Sequence, residues 1–221
     1  MGSIPRLFPT ASKAVLLTLI GLQAISADVL IPSSIKAFHQ GDSLTGNGAA
    51  LQIINGSGMS KPDANDPTTW TISSTAWADD WQGFSADNSG NNTWAVLDLG
   101  ALTANLDQMY LWNVQETNAL DRGTSMFNVY YASSPSESVP DTSGAVTPYD
   151  FKSGGWTLLS TGNDLAQGTQ IGDPGEVFDI SGASGARYIG LHLTANHGGF
   201  RTGLAEVVFT TGIPIGVAGV T

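Results

Sequence analysis

The stretch RYIGLHLTA, residues 187–195, decides the fold class of this chain. Ile189 and Leu191 fall on one face of an extended backbone, and His192 falls on the other. This two-residue period is typical of a β-strand. The stretch AEVVFT, residues 205–210, alternates in the same way after a turn that is rich in glycine. Two such strands in succession favour an all-β fold.

Other parts of the chain repeat this pattern. Clear strand predictions cover residues 94–99, 106–112, 127–132 and 156–160. Weaker strand predictions cover residues 31–38, 51–54, 69–73 and 176–180. Many short strands separated by Gly, Asn, Asp, Ser and Pro predict a sandwich or barrel. We find neither an internal repeat nor a second hydrophobic core, so the sequence indicates one domain.

Composition and charge exclude several classes of protein. The 221 residues carry a formal net charge of −11, and this acidity argues against binding to nucleic acid. Only 12% of the residues are charged and 41% are hydrophobic, which is not the composition of a disordered chain. The chain has no cysteine, so it has neither disulfide bonds nor thiolate metal sites.

The two ends of the chain differ from the part between them. Residues 1–27 have a basic start, an apolar run and a small-residue exit, which predicts a secretory signal peptide. A buried N-terminal helix is the alternative. The predicted domain covers residues 28–211, and residues 212–221 are a tail or a linker to an anchor. We therefore expect a secreted or cell-surface protein without a membrane span in its mature part.

Five segments carry motifs in a fixed order along the chain. They are AALQIINGSGMS at 49–60, WAVLDLG at 94–100, MYLWN with RG and FNVYYAS between 109 and 133, ARYIGL with NHGG between 186 and 199, and GLAEVVF at 203–209. Together they resemble the discoidin or coagulation-factor C-type (F5/8 type C) domains of the galactose-binding-like superfamily, which are similar to carbohydrate-binding modules. The resemblance implies a jelly-roll β-sandwich of about eight main strands. Both termini would lie near one end, with binding loops at the other.

The resemblance also implies a cation site. Relatives often hold calcium, as a structural staple, between the loop matched here by residues 55–60 and the closing glutamate. The implied ligands are Asn55, Ser57, Ser60, the carbonyl of Ala205, and Glu206. Asn55 stands where the family has Asp, so one negative charge is missing, and Asp63 is a possible substitute. In the alternative interpretation, Glu206 is a solvated strand residue.

A sugar site needs an aromatic ring that meets the apolar face of a pyranose, together with polar groups that bind its hydroxyls. The aromatic candidates are Trp77, Trp81 and Phe84; the polar candidates are Asn113, Glu116, Arg122, Asn196, His197 and Arg201. Each has a structural alternative. Trp77 and Trp81 would form a small core under their loop, Arg122 would hold a loop, and Asn196 with His197 would shape a turn. Trp112 is expected in the core.

These features predict a non-catalytic extracellular binding module for a glycan or cell-surface ligand, of the kind found on exported bacterial proteins. We expect a monomer or part of a larger surface protein. The alternative is a structural or adhesion protein that binds protein or itself. A hydrolase would require the acids Asp79, Asp80, Glu116 and Asp121 to converge on one cleft. The sequence has neither a Ser-based nucleophile motif nor histidines at metal-ligand spacing.

Overall fold

Two antiparallel sheets pack face to face in the computed structural model of the chain, which describes residues 27–39, 48–83, 93–136, 139, 142–143 and 149–212. The strands are β1 (Asp28–Leu30), β2 (Ser34–His39), β3 (Met59–Ser60), β4 (Thr71–Ile72), β5 (Trp81–Gly83), β6 (Thr93–Thr103), β7 (Leu106–Asn113), β8 (Thr124–Ala132), β9 (Thr142–Ser143), β10 (Thr157–Asp164), β11 (Glu176–Asp179), β12 (Ala186–Asn196) and β13 (Thr202–Thr211). The helix α1 spans Gln52–Asn55, and short 3-10 turns span Pro67–Thr69, Trp77–Asp79 and Leu120–Arg122. The predicted signal peptide before residue 27 and the tail after residue 212 lie outside the described residues.

The strand order is that of a jelly-roll sandwich. One sheet has the order β1-β13-β7-β11, with β5 also paired to β13, and the other has the order β10-β8-β12-β6-β2-β9. The pairing of β2 with β9 is parallel and the rest is antiparallel. The all-β prediction is confirmed. Each of the six clear strand predictions coincides with a strand.

The strand predicted at residues 51–54 is wrong, because residues 52–55 form α1. Ile53 and Ile54 are both buried, which a short helical turn achieves by packing against β13. Gly56 ends the turn with φ 75°, a left-handed conformation that suits glycine. A four-residue apolar run has no period that separates helix from strand.

The main core lies between the sheets, and each outer face carries a smaller aromatic cluster. The outer face of the six-stranded sheet is covered by Trp94, Val96, Tyr130, Val139 and Phe151, with Tyr149, Trp156 and Tyr188 at the margin. The outer face of the other sheet is covered by Trp70, Ile72, Tyr110, Trp112, Ala205 and Val208. The prediction that the chain has no second hydrophobic core is therefore wrong, because two smaller clusters lie outside the main core. Trp112 is buried as predicted.

Strand β10 forms one edge of the six-stranded sheet and pairs irregularly. Its register against β8 shifts between Leu158 and Ser160 and again between Ser160 and Asn163. Within the second shift, Gly162 has φ 65° and donates its N–H to the side-chain carbonyl of Asn128 at 2.9 Å. A side chain thus takes the place of a regular ladder bond at this edge.

The described ends of the chain lie together, since Asp28 pairs with Thr211. Four loops form the opposite end, which we call the loop end: loop A (73–80), loop B (114–123), loop C (165–175) and loop D (197–201). This agrees with the arrangement that the family resemblance implies. Among the described residues, no helix is long and apolar enough to cross a membrane.

Candidate functional site

Loops B and D are joined directly at the loop end. The backbone N–H of Gly199 donates to the carbonyl of Asp121 at 2.9 Å, and that of His197 donates to Gly123 at 3.2 Å. Loops A and B are joined by a backbone hydrogen bond of 3.2 Å from Thr117. The three loops therefore form one connected surface on which side chains from distant parts of the sequence meet.

Asp80 holds loop B in place through hydrogen bonds to the loop backbone. Its side chain is 2% exposed, and its Oδ2 accepts the backbone N–H groups of Gln115 and Glu116, each at 2.9 Å. Burial raises the pKa of the Asp80 carboxyl to about 7, although the two N–H donors act in the opposite direction. Asp80 is thus a positioning group beneath the surface.

The side chains of Gln82, Glu116 and Arg122 form a cluster in which each is hydrogen-bonded to the other two. The buried amide of Gln82 donates to Oε2 of Glu116 at 2.6 Å. Arg122 donates through Nη1 to the same Glu116 oxygen at 3.2 Å and to Oε1 of Gln82 at 3.1 Å. Glu116 and Arg122 keep 22% and 23% of their side-chain surfaces exposed. The ion pair is therefore held in one geometry while both charged groups still reach solvent.

Phe200 in loop D is the aromatic group beside this cluster. Its ring is 49% exposed, and the Arg122 guanidinium lies 4.6 Å from the ring centroid. The guanidinium of Arg201 lies 5.7 Å from the same centroid. Phe200 was not among the residues predicted from the sequence to bind a ligand. A lone aromatic residue in the Gly-Gly-Phe-Arg turn between the two clearest strands was the signal that could have identified it.

Two predicted ligand-binding residues are core residues instead. Trp81 is completely buried within β5, because its pairing with β13 places the side chain in the main core. Asn113 is 3% exposed, and its amide donates to the carbonyls of Thr124 and Ala166, both at 2.7 Å. Asn113 therefore joins loop C to β8 and has no free side facing solvent.

Asn196 and His197 shape the turn, as the alternative interpretation had it. The Asn196 amide donates to the carbonyls of Gly199 and Arg201 at 2.6 and 2.8 Å, and its carbonyl accepts the N–H of Gly198 at 2.9 Å. The His197 ring lies 3.0 Å from the carbonyl of Leu165 in loop C. Both residues hold the loop that carries Phe200.

Trp77 is half exposed on loop A, at 37%. Its indole lies against Gly48, where an added Cβ would approach the ring nitrogen to 2.8 Å. The exposed part leaves Trp77 available as a second aromatic surface on a loop adjoining loop B. Phe84 lies outside the described residues.

The four acids of the hydrolase hypothesis do not all face one cleft. Asp80 is buried under loop B, and Glu116 is paired with Arg122. Asp79 accepts a short hydrogen bond from the Ser57 hydroxyl, and Asp121 is exposed in the 3-10 turn of loop B. Both Asp79 and Glu116 lie near Asp80, but Asp80 itself is buried out of reach of a substrate.

The predicted cation site is assembled around Glu206, which is completely buried in β13 and is not a solvated strand residue. Its Oε2 accepts the backbone N–H of Gly56 at 3.1 Å, so the 55–60 loop does meet the closing glutamate. Lys61 places its ammonium 3.5 Å from the other oxygen, Oε1. Burial raises the pKa of Glu206 to about 7, while the charge of Lys61 acts to lower it.

Two of the other implied calcium ligands, Asn55 and Ser57, are hydrogen-bonded to other groups. The Asn55 carbonyl oxygen accepts the N–H of Ser57 at 2.7 Å, and the Ser57 hydroxyl donates to Asp79. Ser60 is exposed. Within the described ranges, no three His, Cys, Asp or Glu side chains are grouped as a metal site requires. The side-chain oxygens around Glu206 therefore do not supply the six to eight oxygens that calcium needs.

Comparison with known proteins places the fold. No family model and no curated protein matches the sequence. An F5/8 type C domain from Bacteroides fragilis superposes with a TM-score of 0.52 at 11% identity, over 84% of this chain and 97% of that domain. The chain has the fold of an F5/8 type C domain. The resemblance drawn from the sequence is confirmed at this level.

Two further solved structures are similar to this chain. A SusE-like protein superposes with a TM-score of 0.51 at 17% identity, over 84% of this chain and 66% of that protein. The CBM32 of AlyQ, in complex with 4,5-unsaturated mannuronic acid, gives a TM-score of 0.47 at 16% identity, over 82% and 96% of the two chains. At these identities the comparison concerns the fold alone.

Proposed function

We propose that this F5/8 type C-like domain is a non-catalytic glycan-binding module whose site is the loop end. The observation that carries the proposal is the half-exposed ring of Phe200 beside the Glu116–Arg122 ion pair. An aromatic face next to fixed charged hydrogen-bonding groups is what pyranose recognition requires, because a sugar presents an apolar C–H face and a rim of hydroxyls.

Each group has a definite role in this proposal. Phe200 stacks on the sugar ring, Glu116 accepts hydrogen bonds from sugar hydroxyls, and Arg122 and Arg201 donate to sugar oxygens. Gln82 holds Glu116 and Arg122 in place before the ligand arrives. Binding then costs little side-chain ordering, which partly compensates for the small area that an open site buries.

Binding without catalysis is favoured by the position of the acids. Glycoside hydrolysis needs two carboxyl groups that both reach the scissile bond. Asp80 is 2% exposed, and its Oδ2 accepts two backbone N–H groups. Glu116 forms an ion pair with Arg122, and this pairing suits hydrogen bonding to a hydroxyl better than proton donation.

The test begins with a glycan array and continues with calorimetric titration of the best ligand. We expect Phe200→Ala to weaken binding roughly tenfold or more, since stacking is lost. Leu102→Ala is the matched control, because Leu102 is 66% exposed on β6 at the opposite end of the sandwich. If Trp77→Ala abolishes binding and Phe200→Ala leaves it intact, the stacking surface is on loop A and this assignment is wrong.

Silence of the folded protein across neutral and acidic glycans would refute the glycan proposal. In that case a concentration series in light scattering tests the alternative of a structural or adhesion protein that binds itself. The export of the protein and its place at the cell surface depend on residues 1–27 and stay predictions. A signal-peptide cleavage assay that sequences the mature N-terminus checks them.

A further inference from the structure

The charge of the buried Glu206 carboxyl group must be compensated by neighbouring groups. Its carboxyl group is completely buried in β13, against the 55–60 loop. A buried carboxylate needs a counter-charge, because removing it from water is costly. One backbone N–H, from Gly56, bonds only one of its two oxygens.

The geometry assigns this role to Lys61: we propose that its ammonium is a built-in cation that replaces a bound metal ion at the junction of the 55–60 loop and β13. The ammonium lies 3.5 Å from Oε1 of Glu206, while the side chain as a whole is 24% exposed. A covalently attached cation is always present, so the junction does not depend on the concentration of free metal.

The Trp70 ring also holds the Lys61 ammonium in this position. It lies 4.1 Å from the ring centroid of Trp70, within the range of a cation–π contact. The Trp70 ring is itself fixed, because its Nε1 donates to the carbonyl of Asp63 at 2.7 Å. The ammonium therefore has an aromatic wall on one side and the carboxylate on another.

Gly56 completes the ammonium site. A Cβ at residue 56 would lie 2.3 Å from Nζ of Lys61, so any side chain there would expel the ammonium. The left-handed φ of 75° also favours glycine at this position. The same residue thus supplies the N–H for one carboxylate oxygen and the space for the cation at the other.

The surroundings favour an ammonium over calcium. The group directed at Oε2 is an N–H donor, which a metal ion would have to displace. The oxygens of Asn55 and Asp79 already accept hydrogen bonds from Ser57. A single positive charge matches the single carboxylate, and no further oxygen ligands are needed.

The experiment compares thermal unfolding of the full chain in EDTA and in excess calcium at about pH 8, above the raised pKa of Glu206. The wild type is expected to unfold at the same midpoint in both, and calorimetry is expected to detect no calcium binding. Lys61→Met should lower the midpoint by on the order of 10 °C, because it leaves Glu206 buried and unpaired. Lys152→Met is the matched control, since Lys152 is exposed and its loss should leave the midpoint unchanged.

Two variants keep the test decisive if Lys61→Met fails to fold. Lys61→Met combined with Glu206→Gln removes both charges and should recover most of the lost midpoint, since the buried charge is gone. Lys61→Arg keeps the charge and should fold. The proposal is overturned if calcium raises the wild-type midpoint, if calcium binds the wild type stoichiometrically, or if Lys61→Met is as stable as the wild type.

Discussion

Raising the pH should weaken this fold through Asp80, a carboxyl whose pKa burial raises from an ordinary value of 3.8 to about 7. Between these values the folded state holds a proton that the unfolded state has released, so the free energy of unfolding falls as the pH rises. Because a pKa difference of one is worth about 1.4 kcal/mol, we expect Asp80 alone to remove about 2.5 kcal/mol between about pH 5 and about pH 8.

The measurement is urea unfolding, followed by tryptophan fluorescence, at several pH values across this interval. Asp80→Asn keeps an oxygen that can accept the N–H groups of Gln115 and Glu116 and does not titrate. We expect its profile to be flatter than that of the wild type by about 2.5 kcal/mol, with Glu206 responsible for a similar fall that remains. Asp121→Asn, at an exposed acid in loop B, is the control and should leave the slope unchanged.

Parallel profiles for the wild type and Asp80→Asn would refute this reasoning. Such a result would mean that Asp80 is ionised in the folded state at pH 5, with its two N–H donors outweighing the effect of burial. A steeper profile for Asp80→Asn would contradict the sign of the linkage itself.

Three other predictions concern packing, and urea unfolding checks each. Trp81→Ala should lower the free energy of unfolding by about 3–5 kcal/mol, because it truncates a core residue, whereas Trp77→Ala, at a half-exposed ring, should lower it by less than about 1 kcal/mol. Equal losses would contradict the assignment of Trp81 to the core. Gly190→Ala should cost about 1–3 kcal/mol, because the new Cβ would lie 2.3 Å from the Phe151 ring, and adding Phe151→Leu should restore part of the loss. Asn113→Ala should cost about 2–3 kcal/mol by leaving buried carbonyls unpaired, and a neutral result would show that water replaces the amide.

The fold was predictable because its main strands alternate with a clear period of two. Residues 187–195 and 205–210 show this period, and both lie in long strands, β12 and β13. The period does not reveal how many faces are buried. The alternative interpretation had Glu206 as a solvated strand residue, yet its side chain is completely buried and accepts the N–H of Gly56 in the 55–60 loop.

The candidate site was predictable in its location and less so in its members. Glu116, Arg122 and Arg201 follow or precede strands whose order the resemblance implies, so their placement at the loop end could be expected. Trp81 was misplaced because β5 has only three residues, and its burial depends on pairing with β13 and not on its own neighbours in sequence. Phe200 gave no periodic signal of any kind.

The ion pair between Lys61 and Glu206 could not be predicted from the local sequence around either residue. Lys61 follows the motif loop as an ordinary charged residue in a polar stretch. Its role depends on three groups that only the folded chain brings together, namely the Trp70 ring, the open backbone at Gly56 and the buried carboxyl. Pairwise contacts between distant segments of this kind are not encoded in hydrophobic periodicity.

The irregular edge strand β10 bears on how these molecules behave at high concentration. A straight strand with an open row of N–H and C=O groups, and with Leu158 half exposed, would invite a strand from a neighbouring molecule to extend the sheet. The two register shifts against β8 break the regular spacing of that row, so an incoming strand finds no continuous ladder to join. The edge thereby acts as a built-in guard against aggregation.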